Sequence, residues 1–184
     1  MIIRALAIAM AFGILPGCKK PVDESVHLVA VGAHEAIPAV HGPCRIPDVR
    51  PGAPAHFSPT GETFEAVDPG RVRMVCERGM VVLDVRRPSR LGIDTTQVVK
   101  RGALLVMHAQ AFGAEGERLS IGEAPVSWSF SGALAPRPVP ACADEATACP
   151  PRNAGFARAY DDGEGAVVAR FGGLSARIVV TVLP

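Results

Sequence analysis

Four of the five histidines lie close together in the first third of the chain. They are His27, His34, His41 and His56, and Cys44 follows soon after the third of them. Imidazole and thiolate are ligands that zinc and copper favour, so the even spacing of His27, His34 and His41 is typical of a metal-binding segment. The alternative is that these histidines are solvated loop residues and that Cys44 belongs to a disulfide.

The first seventeen residues, MIIRALAIAMAFGILPG, form the most apolar run of the chain and end just before Cys18. One positive charge, Arg4, precedes an apolar segment that is about half the length of the roughly 20 residues that a membrane-spanning helix needs. A short positive start, a short apolar run and small residues at its end are typical of an export signal. The run therefore predicts a segment that is removed from the mature protein.

The end of this run resembles the lipobox of bacterial lipoproteins through Leu15, Gly17 and Cys18. The resemblance implies that residues 1–17 are a signal peptide, and that Cys18 carries palmitate-type acyl chains at the head of a lipidated tether, residues 18–25. It also implies sorting to the outer membrane rather than the inner one, because the residue after Cys18 is not aspartate. Two or more acyl chains hold a protein on a bilayer stably, so the lipid bilayer is the expected partner of Cys18.

The remaining cysteines support export. With Cys18 assigned to lipid, Cys44, Cys76, Cys142 and Cys149 remain, and an even number in an oxidising compartment predicts two disulfides. Three pairings are possible, and order along the chain favours Cys44–Cys76 and Cys142–Cys149. The loop-closure entropy of the first pair corresponds to about 3.5–4 kcal/mol of stabilisation.

The charge of the mature chain argues against nucleic acid as a partner. Removing residues 1–17 removes one basic residue and no acidic one, which leaves 18 basic and 18 acidic residues. A formal net charge of zero provides no basic surface for a phosphate backbone. Five basic residues do cluster near position 90, and we expect them to form a solvated joint between two modules: Arg86, Arg87, Arg90, Lys100 and Arg101.

The motifs of the common catalytic sites are missing from the sequence. There is no nucleophile elbow, no His-Glu-x-x-His pair and no glycine loop that would hold phosphate. We therefore predict that the chain is not an enzyme and has no catalytic, cofactor-binding or metal residues beyond the histidine alternative.

The secondary-structure elements that position these residues are predicted to be short strands. Alternating apolar residues predict strands at 25–32, 103–112 and 125–132, and hairpins at 71–85 and near the end of the chain. The region from residue 37 to about 59 is rich in proline and glycine and predicts irregular structure. The two hairpins resemble each other, which favours two tandem β-modules: a small disulfide-linked module at 26–86 and a larger one at 87–184.

The larger module is similar to a bacterial immunoglobulin-like domain of the kind found in cell-surface adhesins. The similarity covers about residues 90–184 and rests on Gly102, Ala109 to Phe112, Gly116, Val126 to Ser129, Gly165 to Ala169 and Val180 to Val182. It implies an all-β, immunoglobulin-like sandwich, and the only tryptophan, Trp128, is expected between its two sheets. The insertion at 133–153 departs from the family pattern.

Together these features predict a membrane-anchored envelope lipoprotein whose non-catalytic immunoglobulin-like module acts in binding or as a spacer. Its protein or envelope partner is not evident from the sequence. The alternative is a ligand- or metal-binding envelope protein that uses His27, His34 and His41.

Overall fold

The computed structural model describes residues 23–46, 51–138, 151 and 153–184 of the chain. These residues form fifteen β-strands and one short 3-10 helix. Cys18, Cys142 and Cys149, on which the lipidation and the second disulfide were predicted, lie outside the described residues. No helix in the described part of the chain is long and apolar enough to cross a bilayer.

The strands of the first half are β1 (Glu24–Ala36), β2 (Cys44–Arg45), β3 (Ala55–Phe57), β4 (Thr63–Ala66), β5 (Gly70–Cys76) and β6 (Gly79–Arg86), with the 3-10 helix η1 at Ala39–His41. Those of the second half are β7 (Arg90–Asp94), β8 (Val98–Lys100), β9 (Leu104–Phe112), β10 (Arg118–Gly122), β11 (Ser127–Gly132), β12 (Leu134–Pro136), β13 (Ala154–Ala159), β14 (Gly163–Phe171) and β15 (Leu174–Leu183).

The predicted hairpin at 71–85 is confirmed as β5 and β6. Their pairing is antiparallel from Gly70 opposite Val85 to Cys76 opposite Gly79, so Glu77 and Arg78 make the turn. The alternation in β5 buries one face of the strand. In β6, by contrast, five successive residues, 81–85, are buried. Val81, Leu83 and Val85 face the apolar cluster of the first half, and Asp84 on the other face is covered by Arg71 and Arg86.

Strand β1 joins the two halves in one eleven-stranded sheet. Residues 24–30 run parallel to β6, and Val29 and His34 pair with Ser120 and Gly122 of β10 in the second half. Its core contacts are divided in the same way, since Val29 belongs to the apolar cluster of the first half and Ala30 to a cluster of the second. The two predicted modules therefore share a strand.

Both halves use the same arrangement at their closing hairpin. In the first half the opening strand β1 lies parallel to β6, the last strand of its hairpin. In the second half β8 lies parallel to β15, the last strand of the hairpin formed by β14 and β15. The similarity noted between the two hairpins in the sequence thus extends to the strand that pairs with each of them.

The second half is an immunoglobulin-like sandwich. The four-stranded sheet β11-β14-β15-β8 packs against the part of the large sheet that contains β9 and β13. Leu105 and Met107 of β9 meet Val167 of β14 and Val180 of β15 in the core between the sheets. The alternation predicted for each of these strands places these side chains inward.

Trp128 lies between the sheets, as predicted. It projects from β11 and contacts both core clusters of the second half, and its ring lies against the backbone of Gly155 in β13 of the opposite sheet. Ser127 and Ser129 on either side are exposed, which confirms the predicted direction of this strand.

Two predicted irregular regions contain short strands. The proline-rich region between 37 and 59 holds η1, β2 and β3, each no longer than three residues. Residues 90–94 near the predicted joint form β7, which pairs with β9. Short edge strands of this kind lack the length at which apolar alternation becomes readable in a sequence.

Candidate functional site

The first predicted disulfide is present. Cys44 of β2 and Cys76 of β5 are directly opposite each other and are covalently linked. The bond attaches the irregular region after β1 to the end of the hairpin, and Cys76 is buried in the apolar cluster of the first half. Cys44 is therefore a structural residue rather than a metal ligand.

The structure does not bring His27, His34 and His41 together. His27 is half-buried and its Nε2 lies 2.7 Å from Oε2 of Glu35. His34 is exposed on the last part of β1, whereas His41 is buried in η1, with its Nδ1 3.9 Å from Oδ2 of Asp23. The expectation of solvated loop histidines is wrong for His27, because it lies in a strand and is held by Glu35. It is also wrong for His41, which is packed against Gly79.

A different set of titratable side chains shares one surface. His34 of β1 is opposite Glu65 of β4, and His56 of β3 is opposite the same glutamate. Residues directly opposite in neighbouring strands project on the same face, so the three form an exposed row. Within the described residues, no three histidine, cysteine, aspartate or glutamate side chains converge on one point as a metal site requires. The cross-strand register that creates the row is not visible in the sequence.

A cleft of about 540 Å³ lies where β1 meets β9 and β10, at the junction of the two halves. His27, Gln110, Arg118, Ser120 and Asn153 provide its polar lining. The side-chain amide of Asn153 donates to the carbonyl of Gly122 at 2.7 Å, which fixes one wall of the cleft. Among the described side chains, the hydrogen bond of His27 is with Glu35 and not with Ser120.

The carboxylate of Glu35, which holds the His27 side chain of this cleft, is buried. Its residue is 9% exposed, and its Oε1 has no hydrogen-bond partner among the described atoms. If the carboxylate is ionised it only accepts hydrogen bonds, and Nε2 of His27 is then the donor. Sequence inspection missed Glu35 because eight residues separate it from His27 within one strand.

Arg86 connects the two halves electrostatically. Its guanidinium donates to Asp84 Oδ2 at 2.9 Å and to Glu117 Oε1 at 2.8 Å, and Arg71 donates to Asp84 at 3.1 Å. The hydrogen bond from Arg86 lowers the pKa of Asp84 and outweighs the burial of that carboxyl, which acts in the opposite direction. It likewise lowers the pKa of Glu117, and the two carboxylates raise the pKa of Arg86.

The basic residues predicted to form a solvated joint are largely engaged within the molecule. Besides Arg86, Arg90 places its guanidinium 4.0 Å from the centre of the Phe112 ring, and Arg101 lies 3.5 Å from Asp162. The cation–π contact holds the start of β7 against Phe112 of β9, and the ion pair holds the residue after β8 against Asp162 before β14. The expectation that these three residues lie in a linker is wrong, because the chain around them is folded as strands and tight connections. Arg90 and Arg101 are nevertheless exposed to solvent, as expected.

Sequence comparison finds neither a protein family nor a curated protein that matches the chain. Solved structures with a similar fold include a β-glycosidase from Bacteroides vulgatus, at 15% identity and a TM-score of 0.41. That similarity covers 76% of this chain and 21% of the glycosidase, so the chain spans about a fifth of that protein.

Two further similar structures are surface proteins. The Escherichia coli adhesin FdeC is 13% identical with a TM-score of 0.38, over 86% of this chain and 62% of the adhesin. Domains 5–6 of the S-layer protein SbsC are 13% identical with a TM-score of 0.37, over 88% of this chain and 95% of that one. Likenesses this distant concern the fold alone, and no activity or partner is transferred from them.

Proposed function

We propose that this chain is an envelope lipoprotein, anchored through acylated Cys18, whose β-sandwich is a non-catalytic binding or spacer module at a membrane surface. The observation that carries the proposal is the position of Cys18. It ends the apolar run of the signal and precedes the first strand, Glu24–Ala36, by only five residues.

The short tether has a geometric consequence. Six residue steps from Cys18 to Glu24 span at most about 20 Å when fully extended. A bilayer-anchored Cys18 would therefore keep the start of β1 close to the headgroups. The carbonyl of Asp23 accepts a hydrogen bond from the backbone N–H of Met80 at 2.8 Å, and Glu24 and Ser25 belong to β1, so the last residues of the predicted tether are part of the sheet.

The described part of the chain also suits a rigid spacer. Strand β1 is hydrogen-bonded into both halves, and Arg86 bridges Asp84 in the first half to Glu117 in the second. A shared strand and a shared ion-pair network oppose hinge motion between the halves, unlike a flexible linker. A stiff body on a short tether is suited to presenting its far end at a fixed distance from a membrane.

Metabolic labelling with palmitate tests the anchor. The parent protein should incorporate label and sediment with membranes, and Cys18→Ala should lose both, whereas Lys20→Ala should keep both as a control. Equal labelling of the parent and Cys18→Ala would refute the proposal. Density separation of inner and outer membranes then tests the expected outer-membrane location.

Crosslinking in intact cells, followed by purification from membranes, distinguishes a binding module from a spacer. A binding module gives a discrete crosslinked product that disappears when the contacting residue is changed. A spacer gives none from any surface position on the second half.

A further inference from the structure

We propose that the exposed face of the sheet β2-β5-β6-β1 lies on an anionic lipid surface, with the apolar side chains Val26, Val75 and Met80 flanked by Arg45 and Arg73. This inference rests on the proposed function, because it names the lipid headgroups beside the anchor as the partner of the module. These five residues are called the arginine–valine face below.

The strand register places these side chains on one side of the sheet. Arg45 is opposite Val75, Val75 is opposite Met80, and Met80 is opposite Glu24. In the next row, Arg73 and Val26 are each opposite Val82. Directly opposite residues share a face, so both rows project away from the apolar cluster on the other side of the sheet.

The face is open at the end nearest the tether. Val75 is 67% exposed and Val26 is 55% exposed, among the largest exposures of apolar residues in the described chain. Towards the other end of the same face, Leu28 packs on the second half and Asp84 is covered by its two arginines. The uncovered part is therefore the part next to Asp23, where the chain leaves for Cys18.

The charges on the face favour anionic headgroups. Neither Arg45 nor Arg73 forms an ion pair with a residue in the described part of the chain, and both are exposed. Asp84 is neutralised by Arg71 and Arg86, which leaves Glu24 as the acidic residue in these two rows. Lys19 and Lys20 add two positive charges to the sequence between Cys18 and the start of β1. Basic side chains near an anionic membrane surface attract it, and adjacent apolar side chains add burial at the interface.

Vesicle sedimentation tests this face without the acyl anchor. The chain from residue 18 onward, with Cys18→Ser, contains every described residue and cannot be acylated. It should bind vesicles of phosphatidylcholine with about 30% phosphatidylglycerol, bind pure phosphatidylcholine weakly, and lose the difference as salt is raised. The double variant Arg45→Glu/Arg73→Glu should weaken binding by at least about tenfold, since four charge units change at the surface.

Matched variants keep the result interpretable. Arg137→Glu/Arg177→Glu changes the charge by the same amount on exposed residues of the second half and should bind within about twofold of the parent. If the glutamate pair fails to fold, Arg45→Gln/Arg73→Gln tests the same positions with a smaller change of charge. Absence of anionic-vesicle binding by the parent, or equal loss in both glutamate pairs, overturns the proposal. Absence of palmitate label from the parent in cells, or equal label in the parent and Cys18→Ala, would instead refute the anchor and leave this measurement unchanged.

Discussion

His27 Nε2 lies 2.7 Å from Glu35 Oε2, although the two residues belong to one strand and are eight positions apart. Eight residues of extended strand cover about 26 Å, so β1 must bend sharply between them. The bend coincides with the register shift between Val29 and His34 and with Gly32, whose φ is +88°. The part of β1 before the bend pairs with β6, and the part after it pairs with β4.

The bond between His27 and Glu35 should stabilise the bent form of β1. We expect a double-mutant cycle with His27→Ala and Glu35→Ala to give a coupling energy of about 1 kcal/mol or more. Each single variant already removes the hydrogen bond, so the double variant should lose less free energy of unfolding than the sum of the two single losses. The free energy of unfolding is measured by urea denaturation. Of the two single variants, His27→Ala tests the hydrogen bond more directly, because it leaves the buried carboxyl group of Glu35 without its partner. Strict additivity of the two changes would contradict this role.

Gly32 should be required for the bend itself. A left-handed backbone is costly for any residue with a Cβ, so Gly32→Ala should reduce the free energy of unfolding by about 1–2 kcal/mol. The added Cβ would lie 3.4 Å from Cζ of Phe171, which is ordinary contact, so backbone conformation dominates the cost. Gly102→Ala is the matched control, because Gly102 has a φ of +85° and open space around it. A loss for Gly102→Ala with none for Gly32→Ala would show that β1 can bend without glycine.

The strands that could be predicted from the sequence are those long enough to show an alternation of apolar and polar residues. The β5–β6 hairpin, β9, β11 and the closing hairpin could all be placed from patterns of seven residues or so, and Trp128 could be directed inward. The bend in β1 could not be placed, because a glycine within a strand is compatible with several conformations. The pairing of β1 with β10 joins residues that are about ninety positions apart, and no local pattern specifies such a partner.

The candidate sites were harder to predict than the fold. The even spacing of His27, His34 and His41 implied proximity, yet the bend and the start of η1 send the three side chains to different surroundings. Glu65, which lies between His34 and His56, was not singled out, because it meets both histidines through strand pairing. The ion pair of Glu117 with Arg86 was not predicted, because 31 positions separate the two residues. The Cys44–Cys76 pair was predictable since cysteine chemistry restricts the choice to a few pairings.

Asp84 should make stability depend on pH. Its pKa is lowered in the folded protein, so its contribution is complete above the ordinary aspartate pKa of about 4 and is lost as pH falls through the folded value. Asp84→Asn should reduce the free energy of unfolding by about 1.5–3 kcal/mol at pH 7, and the difference from the parent should narrow towards pH 3. Asp68→Asn, at an exposed aspartate, serves as the control. A difference that stays constant from pH 7 to pH 3 would argue against ion pairing as its source.

Gly155 and Trp128 should be coupled across the sandwich. A Cβ on Gly155 would lie 2.5 Å from Cδ2 of the indole ring, too close for the sheets to keep their spacing. Gly155→Ala should therefore cost about 1–3 kcal/mol through overpacking, and Trp128→Ala about 3 kcal/mol through the cavity that it leaves. Ser129→Ala, at an exposed neighbour, should change stability by less than about 0.5 kcal/mol.

The double variant Gly155→Ala/Trp128→Leu provides the decisive comparison, because the smaller side chain makes room for the new methyl group. Its loss in free energy of unfolding should be smaller, by about 1 kcal/mol, than the sum of the losses for Gly155→Ala and Trp128→Leu alone. Urea unfolding followed by circular dichroism gives these values for every variant. In the parent, the emission of the only tryptophan should shift to longer wavelength in the same transition, because the indole becomes exposed when the sheets separate. An emission change that precedes the loss of β-structure would show that the indole is not held between the sheets.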